Sequence, residues 1–393
     1  MSNFSYYTPT HVYFGRGTQN QVGALVRAQG CKKVLIHYGG QSARRSGLLA
    51  QVETSLDAAG VAHVQLGGVV PNPHLSLVYE GIELCRREGV DFILAVGGGS
   101  VIDSAKAIGY GMCMDGDVWE LYNHTRRATG CLPIGVILTI AASGSEMSDS
   151  SVITKEEGGI KRGYNDDICR PKFAIMNPEL TMTLPDYQTA CGCTDILMHT
   201  MERYFIQGDA MEITDSIAEA LMRTVMKQAK ILRDDPKNYD ARAEVMWAGS
   251  LSHNGLTGCG HDGSDFASHR LEHEMGGMFD VAHGAGLAAV WGSWARYVYQ
   301  NCMPRFVRFA RNVMGVEAEL SDDAAALRGI ELMEDFFRSI HMPTCFSELG
   351  IHPTQEQLEE MAHKCYLAVG GLLGSAKKLD EGDMLAIYKM ANH

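Results

Sequence analysis

The sequence lacks any uninterrupted apolar run of the ~18 residues that a membrane-spanning helix needs, so no membrane span is predicted. The first seven residues contain no basic stretch followed by an apolar one, and we therefore expect no signal peptide. Positive charge is also scarce, because 34 Lys and Arg oppose 47 Asp and Glu, a formal net charge of −13. An acidic surface repels phosphates, which excludes nucleic acid and anionic membranes as main partners.

Cysteine pairs with the spacing of a zinc ribbon or a Cys-x-x-Cys site are absent as well. Eleven cysteines are scattered along 393 residues, and only Cys191 and Cys193 stand close together. A chain of this length does not need disulfides to stabilise its core, and free thiols are typical of a reducing compartment. We therefore expect a cytoplasmic protein.

The first half of the chain alternates between short apolar runs and helical patterns. Hydrophobic residues make up 46% and charged residues 21%, which is ordinary for a globular protein and excludes disorder. The apolar runs cover residues 32–38, 61–66, 92–96, 132–138 and 173–176. Continuous apolar runs are typical of strands buried on both faces, and their alternation with helices such as residues 77–88 predicts a parallel sheet.

The second half shows no strand pattern. Helices are predicted over residues 189–205, 213–233, 241–256, 265–278, 283–300, 323–339 and 354–368, with prolines at the breaks between them. The sequence therefore predicts two domains. These are an α/β domain over residues 1–185 and an all-α domain over residues 186–393.

A glycine-rich turn joins the third apolar run to a helical stretch. Gly97, Gly98, Gly99 and Ser100 would let a bulky anion approach the backbone, and the helix N-terminus supplies unpaired N–H groups. The turn is neither Gly-x-Gly-x-x-Gly nor a P-loop, yet a pyrophosphate fits both of its features. The alternative is an ordinary turn between a strand and a helix.

A second glycine pair, Gly39 and Gly40, follows the first apolar run, where nucleotide-binding folds face the adenosine ribose. No Asp or Glu occurs between residues 34 and 50, whereas Ser42, Arg44 and Arg45 are present, and this favours NADP(H) over NAD(H). The two arginines could instead be the solvated start of a helix. A third turn over residues 139–148 is rich in small hydroxyl residues that can bind phosphates and riboses.

Histidine and aspartate recur at helical spacing in the second half. Asp195 and His199 stand four residues apart and share one helix face, as do His269 and His273, and His283 follows ten residues later. One carboxylate with two or three imidazoles can bind a divalent metal such as Fe²⁺, Zn²⁺, Ni²⁺ or Mn²⁺. The alternative is a set of ordinary hydrogen-bonded histidines.

Together these motifs resemble the iron-containing (group III) alcohol dehydrogenases, and most closely the butanol dehydrogenases and NADPH-dependent aldehyde reductases. The resemblance is carried by residues 97–106, 141–146 and 177–180 and by His269-x3-His273-x9-His283-Gly284, in the same order and spacing. It implies a Rossmann-like dinucleotide-binding domain, an all-α metal-binding domain and a nicotinamide held in the cleft between them. Gln41 departs from the pattern, since a third glycine is usual there, and this leaves the choice between NAD and NADP open.

The resemblance also implies a role for individual residues. The implied metal ligands are Asp195, His199, His269 and His283, with Fe²⁺ the expected ion and Zn²⁺ or Ni²⁺ alternatives. His273 would be a second active-site histidine that is not a ligand. The implied cofactor-binding residues are Gly39, Gly40, Ser42, Gly98, Gly99, Ser100, Asp103, Thr139, Ser143, Ser148, Lys161 and Leu180.

The implied reaction is hydride transfer between nicotinamide C4 and a small primary alcohol or aldehyde of the butanol type. The metal would act as a Lewis acid and His273 would relay the proton. Alternatives are a glycerol or 1,2-diol dehydrogenase, a cyclase resembling dehydroquinate synthase, and an inactive nucleotide-binding protein. The basic cluster that a cyclase would need is missing around His269 and His283. A homodimer is expected, since dimers are the commonest oligomers.

Overall fold

The computed structural model describes all residues, 1–393, and divides them into two compact units. One unit comprises residues 8–183 and is called the α/β unit. The other comprises residues 184–393 together with residues 1–7 and is called the helical unit.

A six-stranded sheet forms the centre of the α/β unit, and all its neighbouring strands run parallel. Its strands are β1 (His11–Phe14), β2 (Lys33–Tyr38), β3 (Ala62–Leu66), β4 (Phe92–Gly97), β5 (Ile134–Leu138) and β8 (Phe173–Met176). The spatial order is β1-β8-β5-β4-β2-β3, so β2, β4 and β5 are neighbours. The five strands and the parallel sheet expected from the apolar runs are confirmed.

Six helices connect the strands: α1 (Val22–Ala28), α2 (Ser42–Arg45), α3 (Leu48–Ala58), α4 (Leu75–Glu88), α5 (Gly99–Met112) and α6 (Trp119–Tyr122). A hydrophobic core lies between the sheet and helices α1 and α3, where Val26 and Val52 pack with Ile36 and Leu94. Strands β4 and β5 are buried along their whole length, which explains their unbroken apolar sequences.

Three strands were not predicted. β1 is an edge strand with exposed ends, so its sequence shows no buried run. The antiparallel hairpin of β6 (Ser150–Lys155) and β7 (Ile160–Asn165) has a largely polar sequence. Its register places Val152 opposite Gly163, and the turn between the strands uses Gly158 and Gly159 in the left-handed region.

The helical unit contains ten helices: α7 (Asp186–Tyr204), α8 (Glu212–Asp234), α9 (Tyr239–His253), α10 (Ala267–Phe279), α11 (His283–Val298), α12 (Met303–Asn312), α13 (Asp322–Ser339), α14 (Phe346–Leu349), α15 (Gln355–Ala368) and α16 (Glu381–Ala391). The seven predicted helices and the absence of strands are confirmed. Aromatic side chains fill the core, where Phe205 stacks on Phe306 at 4.3 Å and Trp291 and Trp294 are fully buried.

Three of these helices were not predicted. α12 carries Pro304 in its first turn, where proline is tolerated. α14 is only four residues long. α16 starts with a capping box in which Asp380 accepts from the Asp383 amide.

As expected from the sequence, none of the sixteen helices combines the length and the apolar character that crossing a bilayer would require.

Candidate functional site

The predicted metal ligands of the helical unit converge on one carboxylate oxygen. Asp195 and His199 lie one turn apart on α7, His269 lies on α10, and His283 is the first residue of α11. The Oδ1 atom of Asp195 is 3.3 Å from Nε2 of His199, 3.5 Å from Nε2 of His269 and 3.7 Å from Nε2 of His283. Three different helices therefore bring four potential ligands around a single point.

The cluster has the chemistry of a divalent-metal site. Ligand atoms of Asp195, His199 and His269 all lie within 4.8 Å of one another, and all three side chains are buried. The Oδ1 atom of Asp195 and Nε2 of His269 are buried without a hydrogen-bond partner. Orphaned polar atoms in a dry interior are costly, and a cation bound between them would satisfy both. The residues present thus fit Fe²⁺ or Zn²⁺.

Two glutamates orient two of the imidazoles. Nδ1 of His269 donates to Glu202, which also accepts from the backbone amide of His269 at 3.0 Å. Nδ1 of His283 donates to Glu272 in the same way. A carboxylate on Nδ1 fixes the ring and leaves Nε2 as the atom that can bind a metal.

The electrostatics of the cluster depend on burial and on these carboxylates. Burial lowers the pKa of His199 well below its usual range, and the neighbouring His253 and His269 act in the same direction. Burial also opposes protonation of His269, but Glu202 and Asp195 outweigh it and raise the pKa of His269 to about 9. The two carboxylates therefore favour the protonated form of His269.

His283 and His273 lie at the edge of the cluster. The side chain of His283 is 28% exposed, in contrast to 6% for His269, and the two rings are 5.2 Å apart. The buried ring of His273 is 6.0 Å from that of His283. The structure brings His273 beside the predicted ligand His283, and its proton-relay role stays a prediction.

The glycine-rich turn of the α/β unit connects β4 to the N-terminus of α5. A Cβ atom on Gly98 would lie 2.9 Å from Cβ of Ile140, and one on Gly99 would lie 3.2 Å from Cβ of Ser143. Only glycine allows this turn to pack so closely against the segment after β5. Thr139 donates its amide to the carbonyl of Gly97 at 3.0 Å. The predicted residues Gly98, Gly99, Ser100, Thr139 and Ser143 therefore lie close together at the carboxyl ends of β4 and β5.

A buried lysine anchors the segment that follows Ser143. The ammonium of Lys106 is fully buried on α5 and donates to the carbonyl oxygens of Ser145 (2.8 Å), Ser148 (3.0 Å) and Ser150 (2.7 Å). The hydroxyls of Ser145 and Ser148 lie 2.9 and 3.4 Å from the same nitrogen. Five oxygen acceptors compensate the desolvation of this charge.

Two predicted cofactor residues are engaged within the protein. Asp103 accepts from the hydroxyl of Ser145 at 2.6 Å and from the amide of Val152 at 3.0 Å. Ser148 is completely buried beside Lys106. Their contacts with the nicotinamide or its ribose stay predictions.

The predicted ribose end lies at the carboxyl end of β2, next to β4. Gly39 and Gly40 follow β2 directly, and a Cβ on Gly40 would meet open space. Ser42 begins the short helix α2. The guanidinium of Arg44 donates to the hydroxyl of Tyr38 at 3.0 Å and to Gln65 at 3.2 Å. Arg44 and Arg45 are both exposed on α2, and these hydrogen bonds hold the guanidinium of Arg44 at the end of the sheet.

The remaining two predicted cofactor residues lie elsewhere in the α/β unit. Lys161 is buried on β7. Leu180 lies in a 3₁₀ turn after β8 and packs against the hydrophobic core, so its own side chain supports the fold. Neither residue lies on a strand next to β4, which carries the glycine turn. Both cofactor-binding assignments stay predictions.

The histidine-orienting role of Glu202 and Glu272 and the anchoring role of Lys106 were not predicted from the sequence. A signal was present for the glutamates, because Glu202 follows His199 by three residues and Glu272 follows His269 by three. Helical spacing of three places a side chain on the same face as the ligand before it. Each glutamate, however, binds a histidine on a different helix: Glu202 on α7 binds His269, and Glu272 on α10 binds His283. These pairs can be recognised only in the tertiary structure.

Comparisons with known proteins agree with these features. The sequence pattern of the iron-containing alcohol dehydrogenases matches residues 9–178, and that of the C-terminal part of this family matches residues 189–392. The chain is 38% identical to NADH-dependent butanol dehydrogenase A of Clostridium acetobutylicum, over 99% of both chains. It is 33% identical to an NADPH-dependent aldehyde reductase of Escherichia coli, over 89% of this chain and 90% of the other.

The structural comparison gives the same answer. The crystal structure of NADH-dependent butanol dehydrogenase A from Thermotoga maritima matches with a TM-score of 0.96 and 37% identity, covering 100% of this chain and 99% of the other. The family expected from the sequence motifs is confirmed, and the chain belongs to the iron-containing alcohol dehydrogenases.

Proposed function

We propose that this protein is a metal-dependent, NAD(P)(H)-dependent alcohol dehydrogenase and aldehyde reductase that acts on a small primary alcohol or aldehyde of the butanol type. The observation that carries the proposal is the convergence of Asp195, His199, His269 and His283 around one buried carboxylate oxygen. The names of the relatives support the butanol-type substrate.

Residues of the helical unit would bind the metal, orient one of its imidazole ligands and transfer the proton. Asp195, His199, His269 and His283 would hold the divalent metal, with Fe²⁺ the proposed ion. When bound there, it supplies Lewis-acid chemistry at the substrate oxygen. Glu202 keeps Nε2 of His269 directed at the site and adds negative charge beside it. His273 would hold the proton that moves between the substrate oxygen and solvent.

The α/β unit would bind the dinucleotide. Unpaired backbone N–H groups at the start of α5 and the close packing of Gly98 and Gly99 suit the pyrophosphate. Ser143 and Thr139 stand next to this turn and offer hydroxyls for the nicotinamide ribose. Lys106 fixes the segment that carries Ser143, because its ammonium binds the backbone of the residues that follow.

NADP(H) is the proposed preference between the two cofactors. The ribose end has no carboxylate between residues 34 and 50, and Arg44 is held there by Tyr38 and Gln65. NAD(H) is the second candidate, because the butanol dehydrogenase relatives are named as NADH-dependent.

Domain boundaries, oligomeric state and cellular compartment are proposed as well. Residues 1–185 would form the dinucleotide-binding domain and residues 186–393 the metal-binding domain.

A homodimer is proposed because β1 leaves one edge of the sheet unpaired within the chain and exposes Phe14 there. Eleven free thiols fit the cytoplasm. Sedimentation equilibrium would test the dimer, which a monomer at micromolar concentration would contradict.

The activity is tested on protein stripped of metal and then reloaded with Fe²⁺ or Zn²⁺. We expect butanal-dependent oxidation of NADPH to return only after reloading, and to exceed that of NADH in kcat/KM. A higher value with NADH would select the second cofactor. Oxidation of 1,2-propanediol without any turnover of butanal or butanol would contradict the proposed substrate class and favour a diol dehydrogenase.

A further inference from the structure

His199 differs from the other two proposed imidazole ligands in how its ring is held. His269 and His283 each direct Nδ1 at a glutamate, which fixes the plane of the ring. Nδ1 of His199 is buried and has no hydrogen-bond partner. No carboxylate therefore holds the His199 ring from its Nδ1 side.

Two neighbouring imidazoles occupy the faces of His199 instead. The ring of His253 lies 3.9 Å away between centroids, with an angle of 43° between the planes. The ring of His269 lies 4.3 Å away at 26°. Both distances are below the usual range of about 4.5–7 Å for packed aromatic pairs, so rotation of the His199 ring would collide with a neighbouring ring.

His253 is itself fixed by an arginine. It is the last residue of α9, and its Nδ1 atom accepts a hydrogen bond from the Arg203 guanidinium at 3.1 Å. The same guanidinium donates to the carbonyl oxygens of His199 at 2.8 Å and Ser252 at 3.2 Å. Arg203 thus ties the end of α9 to the turn of α7 that carries the proposed ligand.

The aromatic ring of Phe266 packs against the guanidinium of Arg203. The guanidinium carbon lies 4.9 Å above the ring of Phe266, which is a cation–π distance. Phe266 has a φ of 52°, in the left-handed region that bulky residues rarely adopt, and its ring lies 5.5 Å from that of His269. Such backbone strain is retained where the surrounding structure requires one conformation.

We propose that His253 is a positioning residue for the metal ligand His199, and that it acts through ring packing rather than as a ligand. Arg203 fixes His253, and His253 holds the His199 ring in the plane in which Nε2 faces Asp195. The inference rests on the proposed metal function of Asp195, His199 and His269.

The test compares three variants by metal binding, without any activity assay. Zn²⁺ affinity is measured by competition with a chromophoric chelator, and the visible spectrum of Co²⁺-loaded protein reports the ligand geometry. We expect His253→Ala to weaken Zn²⁺ binding about 10- to 100-fold and to alter the Co²⁺ spectrum. His253→Phe keeps a ring against His199 but loses the nitrogen that accepts from Arg203, so its Zn²⁺ affinity should lie between those of His253→Ala and the wild type. His363→Ala is the matched control, since His363 is an exposed imidazole paired with Glu381 on other helices of this unit.

Each outcome has a definite meaning. Unchanged Zn²⁺ affinity and spectrum in His253→Ala would overturn the inference. Equal losses in His253→Ala and His253→Phe would also overturn it, because a ring at position 253 would then contribute nothing to the position of His199. If His253→Ala does not fold, His253→Asn replaces it with the same expectation. Failure of the wild type to bind Zn²⁺ or Co²⁺ would instead contradict the proposed function itself.

Discussion

Gly284 allows the helix that carries His283 to approach the helix that carries Asp195. It follows His283 in α11, and a Cβ at this position would lie 2.7 Å from the carbonyl carbon and 2.8 Å from Cα of Cys191 in α7. Both contacts are with backbone atoms, which cannot rotate away. Because nonbonded carbon atoms rest about 3.5–4.0 Å apart, the methyl group of Gly284→Ala must separate the two helices by roughly 1 Å.

That separation would act on stability and on the metal site together. Overpacking of this kind lowers the free energy of unfolding by about 1–3 kcal/mol. Metal ligands tolerate about 0.2 Å of displacement, so a shift of about 1 Å between His283 and Asp195 would disrupt coordination. Misplacement of this size costs about 100-fold in catalysis, and we expect that loss in kcat/KM for butanal.

The assay measures three quantities on Gly284→Ala: Zn²⁺ affinity, kcat/KM and the urea midpoint of unfolding. Gly382→Ala in α16 is the control, because the nearest atom to its Cβ is an Asp380 oxygen at 3.3 Å and the substitution should be tolerated. A Gly284→Ala protein with the Zn²⁺ affinity and midpoint of the wild type would refute the reasoning.

Three further predictions concern buried polar groups. Lys106→Met leaves three backbone carbonyls without their donor and should lower the free energy of unfolding by about 3 kcal/mol and weaken NADPH binding, measured by urea denaturation and nucleotide fluorescence. His37 is buried, and burial lowers its pKa to about 4. Its neutral form therefore contributes roughly 3 kcal/mol to the free energy of unfolding above pH 6.5, and this contribution is lost as the pH falls towards 4. The wild type should lose more stability over this interval than His37→Asn, which has no such titration. Asp215→Asn breaks a buried ion pair in which the two terminal guanidinium nitrogens of Arg305 each donate at 2.6 Å, and we expect a loss of about 3–5 kcal/mol in thermal and urea denaturation.

Each of these predictions has a contradicting result. Lys106→Met with unchanged nucleotide affinity would show that the segment after Ser143 does not depend on the ammonium. Parallel stability curves of wild type and His37→Asn between pH 4 and 6.5 would refute the contribution of His37. A loss below about 1 kcal/mol in Asp215→Asn would place that pair among weak surface salt bridges.

The sequence predicted the central elements of both units because their signals are local. Strands β4 and β5 are buried on both faces, so their apolar runs are unbroken, and α7 carries Asp195 and His199 at the spacing of one turn. The edge strand β1 and the polar hairpin of β6 and β7 lack such runs, because no residue of β1 is fully buried and the hairpin strands mix buried with partly exposed positions.

The same distinction applies to the candidate site. Spacing grouped Asp195, His199, His269, His273 and His283 as candidates, and the family resemblance implied which four of them are ligands. The structure brings those four together. Their supporting residues come from pairings between helices, as in the bond between Glu202 on α7 and His269 on α10. No periodicity in a single segment encodes such a contact, so it could not be predicted from the sequence.

The measurement that tests the central claim most directly is the metal content of purified protein by mass spectrometry, in the wild type and in Asp195→Ala. The claim predicts about one divalent ion per chain after loading with Fe²⁺ or Zn²⁺ and removal of the excess, and almost none in the variant at an unchanged circular dichroism spectrum. Equal metal content in the two proteins, or none in the loaded wild type, would contradict the claim that this cluster is the metal site.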